Sequence, residues 1–539
     1  MGLVACSWPS TPATLTIINA RIWTGNPAQP WAGAIAVHDD SILAVSANTD
    51  IESYITDQTR IIDGSGAMVT PGFIDTHVHF ITGGFRLAAV QLRDARTPDE
   101  FIAHIAALAK SIEPGAWITG GDCDHEQWGG ELPRRGDWID SVTVDNPVWL
   151  NRLDGHMGWA NTAALEVSDV TRRTPGISGG TIVRRRSGGL PGIFKDNAIG
   201  LFDYAIPDST VLMKDRALDA AMEYVAAQGV TSVHHMGGRG NVAVFDCARK
   251  AGRLKTRIYA ATPLSSWEGL RDKIAHDGRG DTWLNIGGLR GFVDGSLGSH
   301  IAAFFDPFTD ALNDKGLLVN TEEKRCRWTA GADKAGLQKM VHAIGDRAIN
   351  IQLDLYERVA WENGVRDRRF RIEHAQHIAS DDMARFAALN DIPRMQPYHA
   401  IDDGRWAEKV IGSERIKTTY AFRSLHDAGA KLGLDSDCFV APPIPLEGIY
   451  AAVTRRTLDD QNPEGWVPEQ KISVEEALQR YSVNAAYASF EEDVNGTLEP
   501  GMLADLVIID QDLAAIPLEK IRDAKVILTV LGGKVLYEE

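Results

Sequence analysis

The stretch Pro71-Gly72-Phe73-Ile74-Asp75-Thr76-His77-Val78-His79-Phe80 is an apolar run ending on two histidines one residue apart. In an extended chain alternate side chains share a face, so His77 and His79 point to a common spot from one buried strand. Two neutral imidazoles aimed together suit a borderline ion such as zinc. A strand end with two solvated histidines is the plain alternative for a bare His-x-His pair, and the other strands must decide between them.

Downstream, β-rich runs at 229–235, 257–261, 288–294, 338–342, 370–374, 392–396 and 430–437 alternate with helix-like segments such as 213–228 and 345–362. With the opening strand these make eight βα units. That count places the chain in the α/β class as a (β/α)8 TIM-like barrel rather than an open doubly wound sheet. The gap after the first strand is too long for one helix, and a structureless loop of that length does not suit a compact domain. Residues from about 81 to 225 therefore read as a subdomain inserted over the barrel mouth.

Both ends of the chain carry short β-rich pieces, at 15–23, 34–37 and 41–45 and again at 504–510, 526–531 and 534–536. Neither end has enough strands for a stable sheet of its own. The expectation is a discontinuous β-sandwich built from 1–69 and 490–539, with the barrel spanning 70–489. A chain of 539 residues exceeds what one hydrophobic core serves, in keeping with that division.

The formal charge of -18, from 73 acidic against 55 basic residues, argues against nucleic acid or an anionic membrane as partner. Five scattered cysteines without a CxxC pair fit reduced thiols in a cytoplasm. No basic-then-apolar leader precedes Thr16, and no apolar run approaches the roughly 18 residues of a bilayer span. The reading is a soluble cytoplasmic enzyme of a small molecule, with a symmetric dimer as the base-rate oligomer.

In such a barrel the C-terminal strand ends converge on one cavity. They supply His77 and His79 from the first strand, His342 from the fifth, His374 from the sixth and Asp437 from the eighth. Four imidazoles and a carboxylate together make a metal site with an acid/base residue.

These segments, with Asp154-Gly155-His156, Asp294-Gly295-Ser296-Leu297-Gly298-Ser299, Val341-His342-Ala343-Ile344-Gly345-Asp346, Ile372-Glu373-His374-Ala375 and Gly496-Thr497-Leu498-Glu499-Pro500-Gly501, resemble the amidohydrolase superfamily and, within it, the YtcJ-like branch. The resemblance implies a barrel paired with a composite β-sandwich and metal-assisted hydrolysis. It implies that His77, His79, His342 and His374 are metal ligands, that Asp437 is a ligand or general base, and that His156 lines the substrate cavity.

One position departs from the pattern. Many relatives carry a lysine where Arg290 stands, and its carbamylated amine bridges two metals; a guanidinium stays protonated and cannot do so. Asp294 or Lys195 are the candidates to compensate, Lys195 as a carbamylated lysine. Without a bridge one ion is favoured over two, with His77, His79, His342 and Asp437 around it and His374 orienting water or carbonyl. Arg290 and Asp294 then become candidates for substrate contact.

Of His234 and His235, alternation lets only one face the barrel interior. His377, His399 and His426 read as surface or loop residues, and Trp128, Trp149 and Trp159 as either pocket wall or core. The function expected is hydrolysis of a non-peptide C-N bond in a linear amide or N-acyl or N-formyl compound. Deamination or cyclic-amide opening on the same scaffold is the rival chemistry, and a barrel that binds without catalysis the rival class.

Overall fold

The computed structural model describes residues 11–539 except Ala88, Arg134 and Asp208; Cys6 lies outside the described residues. Eight strands form one parallel sheet: β1 (Phe73–Val78), β2 (Val230–Met236), β3 (Arg257–Pro263), β4 (Leu284–Phe292), β5 (Gln338–Ala343), β6 (Arg371–His374), β7 (Ile392–Met395) and β8 (Gly433–Leu434). Each pairs with its sequence neighbour, and a parallel bridge between Val78 and Cys438 brings the last strand back to the first. The eight expected strands are all present, as a (β/α)8 barrel requires.

The helices follow from capping and periodicity. Val211–Ala227, which precedes β2, starts at Thr210, whose side chain accepts from the Met213 amide, and it buries Leu218, Met222 and Val225. Glu322–Lys334 starts in the same way at Thr321. Ser, Thr, Asn or Asp at this position satisfies an amide that the helix leaves unpaired.

Within the barrel the core is partly ionic. Arg371 and Arg394 are fully buried and reach into the ring, and a Cβ on Gly433 would lie 1.3 Å from Nη1 of Arg394. Gly433 thus leaves the space that the guanidinium fills, and a side chain there would evict it.

Residues between β1 and β2 carry a second sheet, ordered Gly180–Ile182, Ile193–Asp196, Met157–Ala160, Val148–Arg152, Ile118–Cys123 and Val90–Gln91. One apolar cluster beside it holds Phe101, Ile105 and Trp159, and another holds Trp149, Phe194 and Phe202. Trp149 and Trp159 are therefore core residues of this sheet, and Trp128 packs against the first cluster.

Strands from both ends of the chain share a six-stranded sheet: Lys534–Glu538, Val526–Leu531, Leu506–Ile509, Met68–Pro71, Arg21–Trp23 and Trp31–Ala32. A four-stranded sheet of Ser41–Ser46, Ala34–His38, Leu15–Ile18 and Arg60–Asp63 lies against it, with Ile17, Ile35, Val69, Ile508 and Val530 among the side chains buried between them. Arg257 at the start of β3 ties this part to the barrel, donating to both oxygens of Asp505 at 2.5 and 3.0 Å.

Candidate metal centre

His77 leaves β1 fully buried, and its Nδ1 lies 2.6 Å from Oε2 of Glu373. Glu373 also accepts from Arg371 at 2.7 and 3.0 Å. A carboxylate held this way only accepts, so Nδ1 of His77 carries the hydrogen and Nε2 presents its lone pair. His374 is set up alike: its Nδ1 donates to Oε1 of Gln396 at 3.0 Å, and the Gln396 amide donates to Asp435 at 2.6 Å. Both imidazoles are thus fixed by neighbours below them with one nitrogen left for the barrel mouth.

Backbone geometry explains how consecutive residues both reach the interior. Strand alternation would turn Glu373 away if His374 faced in. Instead β6 ends at His374, whose φ of 71° breaks the alternation and turns its ring to the mouth while Glu373 stays inside. Asp437, with φ of 57°, is turned in the same way three residues past β8.

One ligand atom from each of His77, His374 and Asp437 lies within 4.8 Å of the others, and all three residues are buried. His79 and His342 flank this trio. Nε2 of His79 is 3.5 Å from Oδ1 of Asp437, and the rings of His342 and His374 are 4.5 Å apart. Burial holds His77, His79 and His342 well below the usual histidine pKa, and burial with the neighbouring His399 brings His374 to about 3. Neutral imidazole is the form that binds a metal. Burial raises Asp437 well above the carboxylate range, against the pull of Arg290, and a cation alongside would reverse that.

The donor set fits a divalent ion. Nε2 of His77, Oδ1 of Asp437 and both ring nitrogens of His342 are buried without a hydrogen-bond partner. Such atoms cost about 1–3 kcal/mol each when left unsatisfied. Nε2 of His77 and Oδ1 of Asp437 lie 3.5 Å apart, a nitrogen and an oxygen of the kind a cation takes up, and His342 can offer one of its two nitrogens beside them.

Beside His374 and Asp437 a cavity of about 50 Å3 is lined also by His156, His342, Gln376, His399 and Trp406. Its far wall is charged: Arg152 donates to Asp154 at 2.6 Å and lies 3.7 Å from Asp124, which also accepts from Arg405 at 3.0 Å. His156 stands between the two walls, its Nδ1 2.7 Å from Asp196 and its ring 4.9 Å from that of His342. Burial opposes its charged form, yet Asp196 and Asp154 raise its pKa above the ordinary value.

Of the remaining candidates, Asp294 and Arg290 border the centre and Lys195 lies apart from it. Asp294 is buried, and its oxygens accept from the amides of Ala303, Ile344 and Gly345 at 2.8, 3.0 and 2.9 Å, with His342 3.7 Å away. Lys195 donates to the Ser299 carbonyl at 2.5 Å. Arg290 reaches His79, with Nη1 3.1 Å from Nδ1 and 3.0 Å from Nε2. His234 faces inward and accepts from Arg371 at 2.8 Å, whereas His235 accepts from the Phe80 amide on the other side.

Two expectations need correction. His377 is buried against Thr419 at 2.8 Å and beside the Phe304 ring, and His399 lines the cavity because the helix Pro397–Asp403 starts directly after β7. His426 does sit at the surface, beside Glu476. Glu373, Gln396 and Arg152 went unread, since nothing in their spacing tells an interior polar residue from a solvated one.

A parallel barrel with histidines and an aspartate gathered at its C-terminal mouth defines a metal-dependent hydrolase by class. The chain belongs to the amidohydrolase family, whose model matches residues 60–537. It is 38% identical to Protein LONG AFTER FAR-RED 3 of Arabidopsis thaliana, over 97% of this chain and 92% of that protein. Identity is 27% to the putative amidohydrolase YtcJ of Bacillus subtilis, covering 94% and 96%, and 28% to N-substituted formamide deformylase of Arthrobacter pascens, covering 97% and 98%. Among solved structures, an uncharacterized metal-dependent hydrolase from Pyrococcus horikoshii superposes with a TM-score of 0.75 at 27% identity, over 94% of this chain and 99% of that one.

Proposed function

We propose that the chain hydrolyses a C-N bond in a small non-peptide molecule, a linear amide or an N-acyl or N-formyl amine, using one divalent ion held by His77, His374 and Asp437. The observation that carries this is the trio itself, with two imidazoles pre-set by Glu373 and Gln396, and with His374 and Asp437 lining a cavity. Likeness to a deformylase of N-substituted formamides favours the linear class. Nitrogen ligands favour zinc, although iron or manganese suits similar sites.

A bound ion supplies a water acidified toward pKa of about 7 and a polarised carbonyl. Asp437 takes the proton as the water oxygen bonds to the carbonyl carbon, and the C=O pair moves onto oxygen. On collapse the C-N bond breaks, the pair leaves with nitrogen, and Asp437 returns the proton there. His156, oriented by Asp196, and the charged wall of Arg152, Asp154 and Asp124 contact the rest of the substrate.

The chain divides, on this reading, into a sandwich of 1–69 and 490–539, a barrel of 70–489 and an insert of about 81–225. Unpaired Cys123, Cys247, Cys326 and Cys438 support a cytoplasmic setting. No helix among the described residues is long and apolar enough to cross a membrane.

The test is a panel of N-formyl amines, N-acyl amines, cyclic ureides and aminated heterocycles offered to metal-loaded protein. Turnover of the first two, lowered roughly 10²–10⁴-fold by Asp437→Asn, is the expected result. Turnover confined to ureides or heterocycles would reassign the leaving group, and none at all would favour a binding barrel.

A further inference from the structure

Arg290 differs from the other arginines near the centre. Arg152, Arg371 and Arg405 each pair with a carboxylate. Arg290 has no carboxylate within ion-pair distance among the described residues; its Nη1 meets His79 and, at 3.4 Å, the Met236 carbonyl, while its Cζ lies 4.5 Å from the centre of the Phe292 ring. Its Nε is buried without a partner. A guanidinium stays protonated at neutral pH, so the side chain is a buried cation. A buried cation left without a counterion is costly, and a fold keeps one where negative charge arrives from outside.

The position also bears on metal number. Both nitrogens of His79 are within 3.1 Å of the guanidinium. A second divalent ion on His79 would meet that charge directly, and like charges at such range repel strongly.

We propose that Arg290 is a catalytic residue that fills the place of a second cation, donating an N-H to the carbonyl oxygen as negative charge gathers there. This rests on the hydrolase reading above. As the water oxygen bonds to carbon, the C=O pair moves onto oxygen beside the guanidinium. When the C-N bond breaks the pair returns to C=O, and Arg290 neither gains nor loses a proton.

Arg290→Met removes the charge at similar size, and Arg290→Lys keeps it. With an N-formyl amine and metal-loaded protein, the Met variant should lose about 10²–10³-fold in kcat with KM within about threefold and metal content unchanged, and the Lys variant should recover at least about tenfold of that loss. A Met variant within threefold of the parent, or one that has lost its ion, overturns the proposal. Inorganic phosphate reads the same charge without any substrate: calorimetry on metal-loaded protein should show at least about tenfold weaker binding in the Met variant. Equal affinity, or no binding to the parent, overturns the proposal. Arg290-dependent phosphate binding in a protein that turns over no amide would keep the guanidinium's role as an anion site and remove the hydrolase reading instead.

Discussion

At the residue scale, the centre depends on what lies beneath it. Glu373 fixes the His77 tautomer while held by Arg371, and Gln396 does the same for His374 while held by Asp435. Partners of this kind typically tune metal affinity by 10–100-fold. Glu373→Gln should therefore weaken metal binding about 10–100-fold in a chelator competition, and unchanged affinity would mean the tautomer needs no such support. His77, His374 and Asp437 were legible because they close apolar runs, and the ends of parallel barrel strands converge on one cavity. Glu373 was not, since strand alternation alone would turn it away from the face of His374, and only the φ of His374 lets both lie inside.

At the scale of elements, short-range signals read well and long-range partners did not. The helix Val474–Tyr481 opens with a capping box in which Ser473 and Glu476 satisfy each other's amides. Arg423 then clamps Glu476 from another helix, a contact no local pattern announces. Burial works against the Glu476 carboxylate, but Arg423 and the Ser473 amide outweigh it and hold the pKa at about 2. A folded pKa below the unfolded one gives stability that is whole above about pH 4.5 and lost as pH falls toward 2. Ser473→Ala should cost about 1 kcal/mol in urea unfolding at pH 7. Glu476→Ala, which also strips Arg423, should cost more, and the gap between parent and Glu476→Ala should narrow as the pH is lowered from 5 to 3. A gap that stays constant across that range would remove Glu476 from the acid response.

At the scale of the molecule, the eight-strand count and the sharing of one sheet by both chain ends were legible from β-rich runs and their spacing. The insert was legible as a length of chain but not as a sheet, because its strands are short and partly glycine-rich, as at Gly120 and Gly121. The joint between sandwich and barrel combines apolar packing, as of Val507 and Val526, with the pair Arg257 and Asp505, two charges buried in sequence stretches that read only as strand. Removing one partner of a buried pair leaves the other uncompensated, at about 3–5 kcal/mol. Asp505→Ala should lower unfolding free energy by that amount, and a loss under 1 kcal/mol would show that apolar packing alone joins the two parts.

Five candidate ligands at one barrel mouth accommodate one ion or two, and Arg290 is what separates the cases. Elemental analysis of protein purified without chelator measures this directly. A single-ion centre should give about one equivalent of divalent metal per chain, lost together with activity on chelation and in His374→Ala. Two equivalents per chain, or an active protein with none, would contradict it.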